Sequence, residues 1–279
     1  MPTFTTPEPI HVTLDLAAGD AHISATERDD TVVEVAPRDR SRPADVRAAE
    51  ETRVDFADGR LHVRAPRQGL RWGRGGFVEV TIALPTGSRV DGRTGMGELH
   101  ADGTLADCTF KSGAGAIRLE RSGRLQVSCG AGDISVEGAN GDADVATGSG
   151  AVRLGAVARN AVVKNANGVT AIGDAGGELR VTASNGDITV ERAAGNVVAK
   201  TANGSVRVGQ VARGTLELGT AYGDIEVGIA QGTAARLDVR TKFGNVRQGL
   251  EAAQAPPDDA PTVVVRGRTA YGDIVIDRA

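Results

Sequence analysis

One glycine returns at an almost fixed interval along most of this chain, and that interval limits the fold more than any other feature. Four-residue corners ending in this glycine fall at 94–97, 112–115, 129–132, 147–150, 165–168, 183–186, 201–204, 220–223, 241–244 and 269–272. The steps between successive anchor glycines are 18, 17, 18, 18, 18, 18, 19, 21 and 28 residues. Such a period marks a repeat architecture, in which one unit cannot bury its apolar face alone and stacked units can.

Within a unit, apolar residues alternate with polar ones. After the anchor come pairs such as Ile134/Val136, Ile188/Val190 and Ile225/Val227; before the next come Leu125/Val127, Leu179/Val181 and Leu216/Leu218. Alternation with period two puts one face inside and the other in water. The strands are short, and glycine supplies the positive φ that the corners need. The pattern predicts an all-β chain, a parallel β-solenoid of about ten 18-residue coils. At about 4.8 Å per coil, the stack would run roughly 48 Å. An antiparallel sandwich or propeller ranks second, because the step is too short for a four-stranded blade.

Two columns support stacking of identical corners. The residue before the anchor is Asn167, Asn185 and Asn203 in three successive units, ahead of Gly168, Gly186 and Gly204. In the last three it is Tyr222 (before Gly223), Phe243 and Tyr271. Asparagine tolerates left-handed turns, and stacked amides and aromatics reinforce one another along a β-stack. Residues 1–93 read as a β-rich N-terminal cap with the first coils, and 94–279 as the repeats, continuous with it. Ala18-Gly19-Asp20 and Asp58-Gly59 look like weak echoes of the corner, and 44–53 like a short helix. The proline- and aspartate-rich stretch 254–262 reads as a loop inserted before the final coil, taken to be the terminal one around Tyr271–Ile276.

The corners Asn-Gly-Asp-Ile-Thr-Val at 185–190 and Tyr-Gly-Asp-Ile-Glu-Val at 222–227 resemble those of the bacterial DUF4097 family, in its actinobacterial form. That family also bears the label "putative adhesin". The resemblance covers about residues 10–279. It implies a β-helix fold, no established activity and no catalytic residues to carry over.

The search for chemistry yields little. The four histidines, His11, His22, His62 and His100, stand singly in strands, without the spacing of a zinc site. Asp133, Asp187, Asp224 and Asp273 follow anchor glycines, but Ala116, Ala151, Val169 and Ser205 interrupt the column, so turn aspartates are expected rather than calcium ligands. The Gly-x-Gly pairs are repeat corners and lack a Walker lysine. No cofactor, metal or catalytic residue is assigned. Cys108 stands where neighbouring units have core Leu or Val and Cys129 where they have Ser or Thr, so a core thiol and a turn thiol are expected, unpaired.

Two features are candidate binding residues. Arg64, Arg67, Arg71, Trp72 and Arg74 lie in one short stretch, read as a hairpin loop between 60–65 and 77–84, where Arg beside an aromatic suits a partner contact. Tyr222, Phe243 and Tyr271 would offer a stacking platform for a sugar if they face out, and would pack the last coils if they face in; packing is favoured. With Lys+Arg 32 against Asp+Glu 36, the net charge of −4 gives no overall attraction to DNA. No apolar run is long enough to span a membrane as a helix, and the first residues do not read as a signal peptide, so a cytoplasmic location is expected, with the cell surface as the alternative if a leader was removed. The expected function is a non-enzymatic scaffold presenting a repetitive surface to a protein or glycan partner. The alternatives are a carbohydrate-active β-helix enzyme, favoured by a groove with two convergent carboxylates, and an end-to-end self-assembling protein, favoured by an uncovered terminal edge.

Overall fold

The computed structural model of the protein describes residues 1–66, 75–250 and 261–279. It is almost wholly β, and its contacts divide it into two compact units, Met1–Asn140 and Gly141–Ala279.

The first unit contains β1 (Thr3–Thr5), β2 (His11–Thr26), β3 (Asp30–Pro37), α1 (Pro43–Glu51), β4 (Arg53–Ala57) and β5 (Arg60–Arg64). It continues through β6 (Val78–Pro85), β7 (Arg89–Met96), β8 (Leu99–Ala114), β9 (Ile117–Ala131) and β10 (Ile134–Ala139). Strands β2, β8 and β9 turn a corner, so their halves lie in different sheets. The first half of β2 pairs in parallel with β5 and β7, and its second half with β6 and β8. Ala18-Gly19-Asp20 is a true corner: Ala18 is level with Met96, and Asp20 accepts the backbone N–H of Glu98.

The cap comes from antiparallel strands, β1 on β3, β3 on β6 and β4 on β5. Asp58-Gly59 is therefore a two-residue hairpin and not a corner. Both residues have positive φ, 49° and 70°, as the tight turn that matches strand twist requires. Phe4 on β1 stacks on Phe56 on β4, with ring centroids 4.8 Å apart. Helix α1 occupies the stretch where a helix is expected. Its fully buried Asp45 accepts the backbone N–H groups of Asp39 and Phe77, which fixes the chain on both sides of the helix.

The second unit contains β11 (Ala143–Ser149), β12 (Val152–Val157), β13 (Ala161–Asn167), β14 (Thr170–Ala175), β15 (Leu179–Asn185), β16 (Ile188–Ala193) and β17 (Val197–Lys200). Then follow β18 (Val206–Val211), β19 (Gly214–Tyr222), β20 (Ile225–Ile229), β21 (Ala234–Phe243), β22 (Val246–Gln248), β23 (Thr262–Tyr271) and β24 (Ile274–Arg278). Each coil gives one strand to each of two parallel sheets. The first sheet runs β11, β13, β15, β17, β19, β23, β21. The second runs β12, β14, β16, β18, β20, β24, β22. This is the parallel solenoid that the repeat predicts, with Val163, Val181, Leu216, Ile188 and Ile225 among its buried residues.

The order of the last coils departs from the expectation. The final coil, β23 with β24, lies between the coil of β19 and β20 and the coil of β21 and β22. The stack thus ends on β21 and β22, and the segment around Tyr271–Ile276 is covered on both sides. Composition explains the exchange. Val263, Val265, Ile274 and Ile276 are fully buried in the inner coil. The outer coil carries Arg236, Asp238, Arg240, Lys242 and Arg247, and charge suits an edge where pairing stops. Most of the 254–262 loop lies outside the described residues.

Candidate functional site

The most regular surface is the corner that ends at the anchor glycine. At Gly186 φ is 131°, and an added Cβ would lie within van der Waals overlap of the Gly168 carbonyl. Glycine is required there for conformation and for close approach of the next coil. Three residues earlier sits a buried donor. Thr220 Oγ1 donates to the Gly204 carbonyl at 2.8 Å, Thr269 to Gly223 at 2.9 Å and Thr241 to Gly272 at 2.8 Å. These partners independently give the coil order 223, 272, 244. Cys129 fills the same slot and donates its S–H to Gly115 at 3.2 Å, while Cys108 is a buried core thiol; both are free. Where Ala183 lacks a hydroxyl, the Asn165 amide lies 3.0 Å from the carbonyl of Gly168 and 3.1 Å from that of Gly150.

On the outside of this corner the pre-anchor residues form one ladder. Asn185 Nδ2 donates to Asn167 Oδ1, and Asn203 Nδ2 to Asn185 Oδ1, each at 2.8 Å. Asn203 is level with Tyr222, where an aromatic stack takes over. Tyr222 and Tyr271 lie 5.0 Å apart with planes 1° from parallel; Tyr271 and Phe243 lie 4.8 Å apart at 14°. All three rings face out, about half exposed. Their flat faces nonetheless cover one another, and Lys242 Nζ stands 5.3 Å from the outer ring of Phe243. The choice between an open sugar platform and inward packing thus resolves into neither: the rings are outward, stacked, and present edges to solvent.

Aspartates after the anchor serve the backbone. Asp187 accepts the N–H of Ser205, Asp224 that of Asp273, and Asp273 that of Asn245. Among the described residues no three histidine, cysteine or carboxylate side chains converge as metal ligands.

Of the arginine stretch, only Arg64 is described; Arg67, Arg71, Trp72 and Arg74 lie outside the described residues. The strands that flank it are not a hairpin. β5 and β6 pair with different halves of β2 and not with each other. Arg64 lines a groove of about 460 Å³ in the first unit with Asp15, His62, Asp91, Arg93 and Lys111. Two carboxylates share this groove, but both are engaged. Arg93 donates to both oxygens of Asp15, at 3.0 and 2.7 Å. Burial pushes Asp91 up, but hydrogen bonds from His11, Thr109 and Arg89 outweigh it and hold the carboxyl below its usual range. A glycosidase acid needs the opposite shift.

Sequence reasoning missed a charged face. In the second unit, the strands of the first sheet carry eight basic residues and three acidic ones. Those of the second sheet carry five and four. The sequence pattern holds this signal only once the polar positions of alternate half-units are summed separately.

With the fold and its surfaces described, the protein belongs to a defined class. The chain is a member of the DUF4097 family, described as Toastrack DUF4097, which matches residues 10–277. Among solved structures, a "putative adhesin" of Bacteroides fragilis is similar at 12% identity and a TM-score of 0.38, over 99% of this chain and 95% of that one. A "putative adhesin" of Parabacteroides merdae is also 12% identical, with a TM-score of 0.30, over 98% and 94%. A "putative cell adhesion protein" of Clostridium sporogenes matches at 12% identity and a TM-score of 0.19, over 100% and 98%. A comparison with curated proteins gives no match.

Proposed function

We propose that this chain is a non-catalytic β-helical scaffold that binds an extended protein or glycan partner along its laddered surface. The observation that carries the reading is the exposed pre-anchor column of the second unit, where Asn167, Asn185 and Asn203 and then Tyr222, Tyr271 and Phe243 recur at one-coil spacing. A surface with a fixed translational repeat suits a partner that repeats as well, because every added coil adds an equivalent contact. The alternative of a carbohydrate-active enzyme is weakened by the groove in the first unit. Its Asp15 is engaged by both donors of Arg93, and Asp91 is held below its usual range by His11, Thr109 and Arg89, the opposite of the shift that a general acid needs.

The test is a panel of immobilised glycans and cell-envelope proteins probed with the whole chain, with release of reducing ends followed in parallel. Saturable binding without new reducing ends is expected. Release of reducing ends that Asp91→Asn abolishes would overturn the reading in favour of an enzyme.

A further inference from the structure

We propose that the first-sheet face of the second unit is a binding site for a linear anionic polysaccharide lying along the coil stack. This rests on the scaffold reading and names the ligand class that the face would take.

The argument begins with charge. The whole chain is net negative at −4, yet this face holds an excess of five positive charges. Local excess of one sign, and not net charge, sets what a surface attracts. The excess is concentrated where no counter-ion sits. Arg266 pairs with Glu217 and Arg268 with Asp238. Lys164, Arg180 and Lys200 are exposed and make no ion pair among the described residues. On the second sheet, by contrast, Arg192 pairs with Asp174 and Arg207 with Glu226.

Spacing comes next. The register places Lys164, Thr182, Lys200, Gly219 and Arg268 in one column. Cations thus recur on alternate coils, about 9.6 Å apart. That is close to the length of a disaccharide in an extended polysaccharide, so one charge per disaccharide would meet one cation per two coils. The intervening Thr182 and Gly219 are short enough to let a chain lie flat. Beside the column is a groove of about 370 Å³ whose lining includes Val162, Arg180, Val198 and Thr215. It sets two half-buried valines beside Arg180, and its rim also carries Glu178 and Glu217, of which Glu217 is paired with Arg266, so the anionic groups of a ligand would have to lie on the Lys164/Lys200 side. Apolar floor with a cation at its rim fits a sugar ring, which offers C–H groups on its face and anionic substituents at its edge. Single-stranded nucleic acid is the less suitable polyanion, because base stacking needs open aromatic faces, and the exposed rings of Tyr222, Tyr271 and Phe243 on these strands cover one another's faces.

The experiment measures binding of the full chain to alginate and heparin fragments of defined length. Neutral dextran, a poly-dT oligonucleotide and polyglutamate serve as comparators, over a series of salt concentrations. Lys164→Gln/Lys200→Gln should bind the anionic glycans about tenfold more weakly and lower the salt slope by roughly two, one per lost contact. Arg192→Gln/Arg207→Gln, which removes the same charge from the second sheet, should stay within about twofold of the parent. Melting curves of both variants establish that they fold. Equal losses in the two variants, or tighter binding of the oligonucleotide or polyglutamate, would overturn the assignment. If no anionic glycan binds while the wider panel yields a saturable partner, this inference fails and the scaffold reading stands.

Discussion

At the scale of single residues, the fold depends on donors that sequence alone shows only as a recurrent polar column. Thr220 and Thr269 are buried, and each meets a carbonyl of the adjacent coil, so the pairing is visible only after stacking. Thr220→Val keeps the shape and leaves the Gly204 carbonyl without that donor; a loss of about 1–3 kcal/mol in urea unfolding is expected. Asn165→Ala should cost more than Thr220→Val in the same assay, because one amide lies against two glycine carbonyls. Cys108 gives a pH dependence. Burial, aided by the nearby charge of Asp91, pushes its thiol from 9.0 up to about 12. The folded state therefore keeps a proton that the unfolded state releases, and stability present below pH 9.0 is lost as the pH rises towards about 12. Urea unfolding at about pH 8 and again near pH 11 should show a smaller alkaline loss for Cys108→Val than for the parent.

At the scale of elements, the repeat made the parallel coils legible, because period-two alternation and a glycine at each corner leave few other ways to bury the apolar face. What it did not show was the order of the last coils. Corner chemistry is identical in all of them, so nothing local says which neighbour a corner will meet. The decision is made by burial: the coil with Val263, Val265, Ile274 and Ile276 goes inside, and the charged coil of β21 and β22 goes outside. The same inversion explains the aromatic column. Tyr271, last in sequence, is the middle ring and touches both others, while Phe243 touches one. Each stacked pair contributes about 0.5–1.5 kcal/mol beyond area burial. Tyr271→Ala is thus expected to destabilise more than Phe243→Ala. Hydrogen exchange should speed up in both β19 and β21 for the former, and in β21 alone for the latter. The reverse ranking would mean that the coils stack in chain order.

At the scale of the whole molecule, charge decides what remains accessible. Strand edges are templates for unwanted pairing, and the two units manage theirs by different means. In the first, short antiparallel strands stand at the edges and Phe4 and Phe56 join them. In the second, β21 pairs with β23, and among the described residues no strand pairs with its other side. Apolar Leu237 and Val239 are only half-buried there, which alone would invite a second copy. Basic residues oppose this. Arg236, Arg240 and Lys242 alternate with them along the same strand, outnumbering Asp238, and like charges placed opposite one another are unfavourable. The charge that guards this edge extends the basic face described above, so one set of residues would repel a second copy and attract an anionic polymer. Sedimentation should therefore find no concentration-dependent association of the parent at low salt. Replacing the three with Thr at each position should produce association through this edge and also weaken binding to alginate. A variant that associates while keeping full alginate affinity would separate the two roles and leave the edge cations with a protective role only.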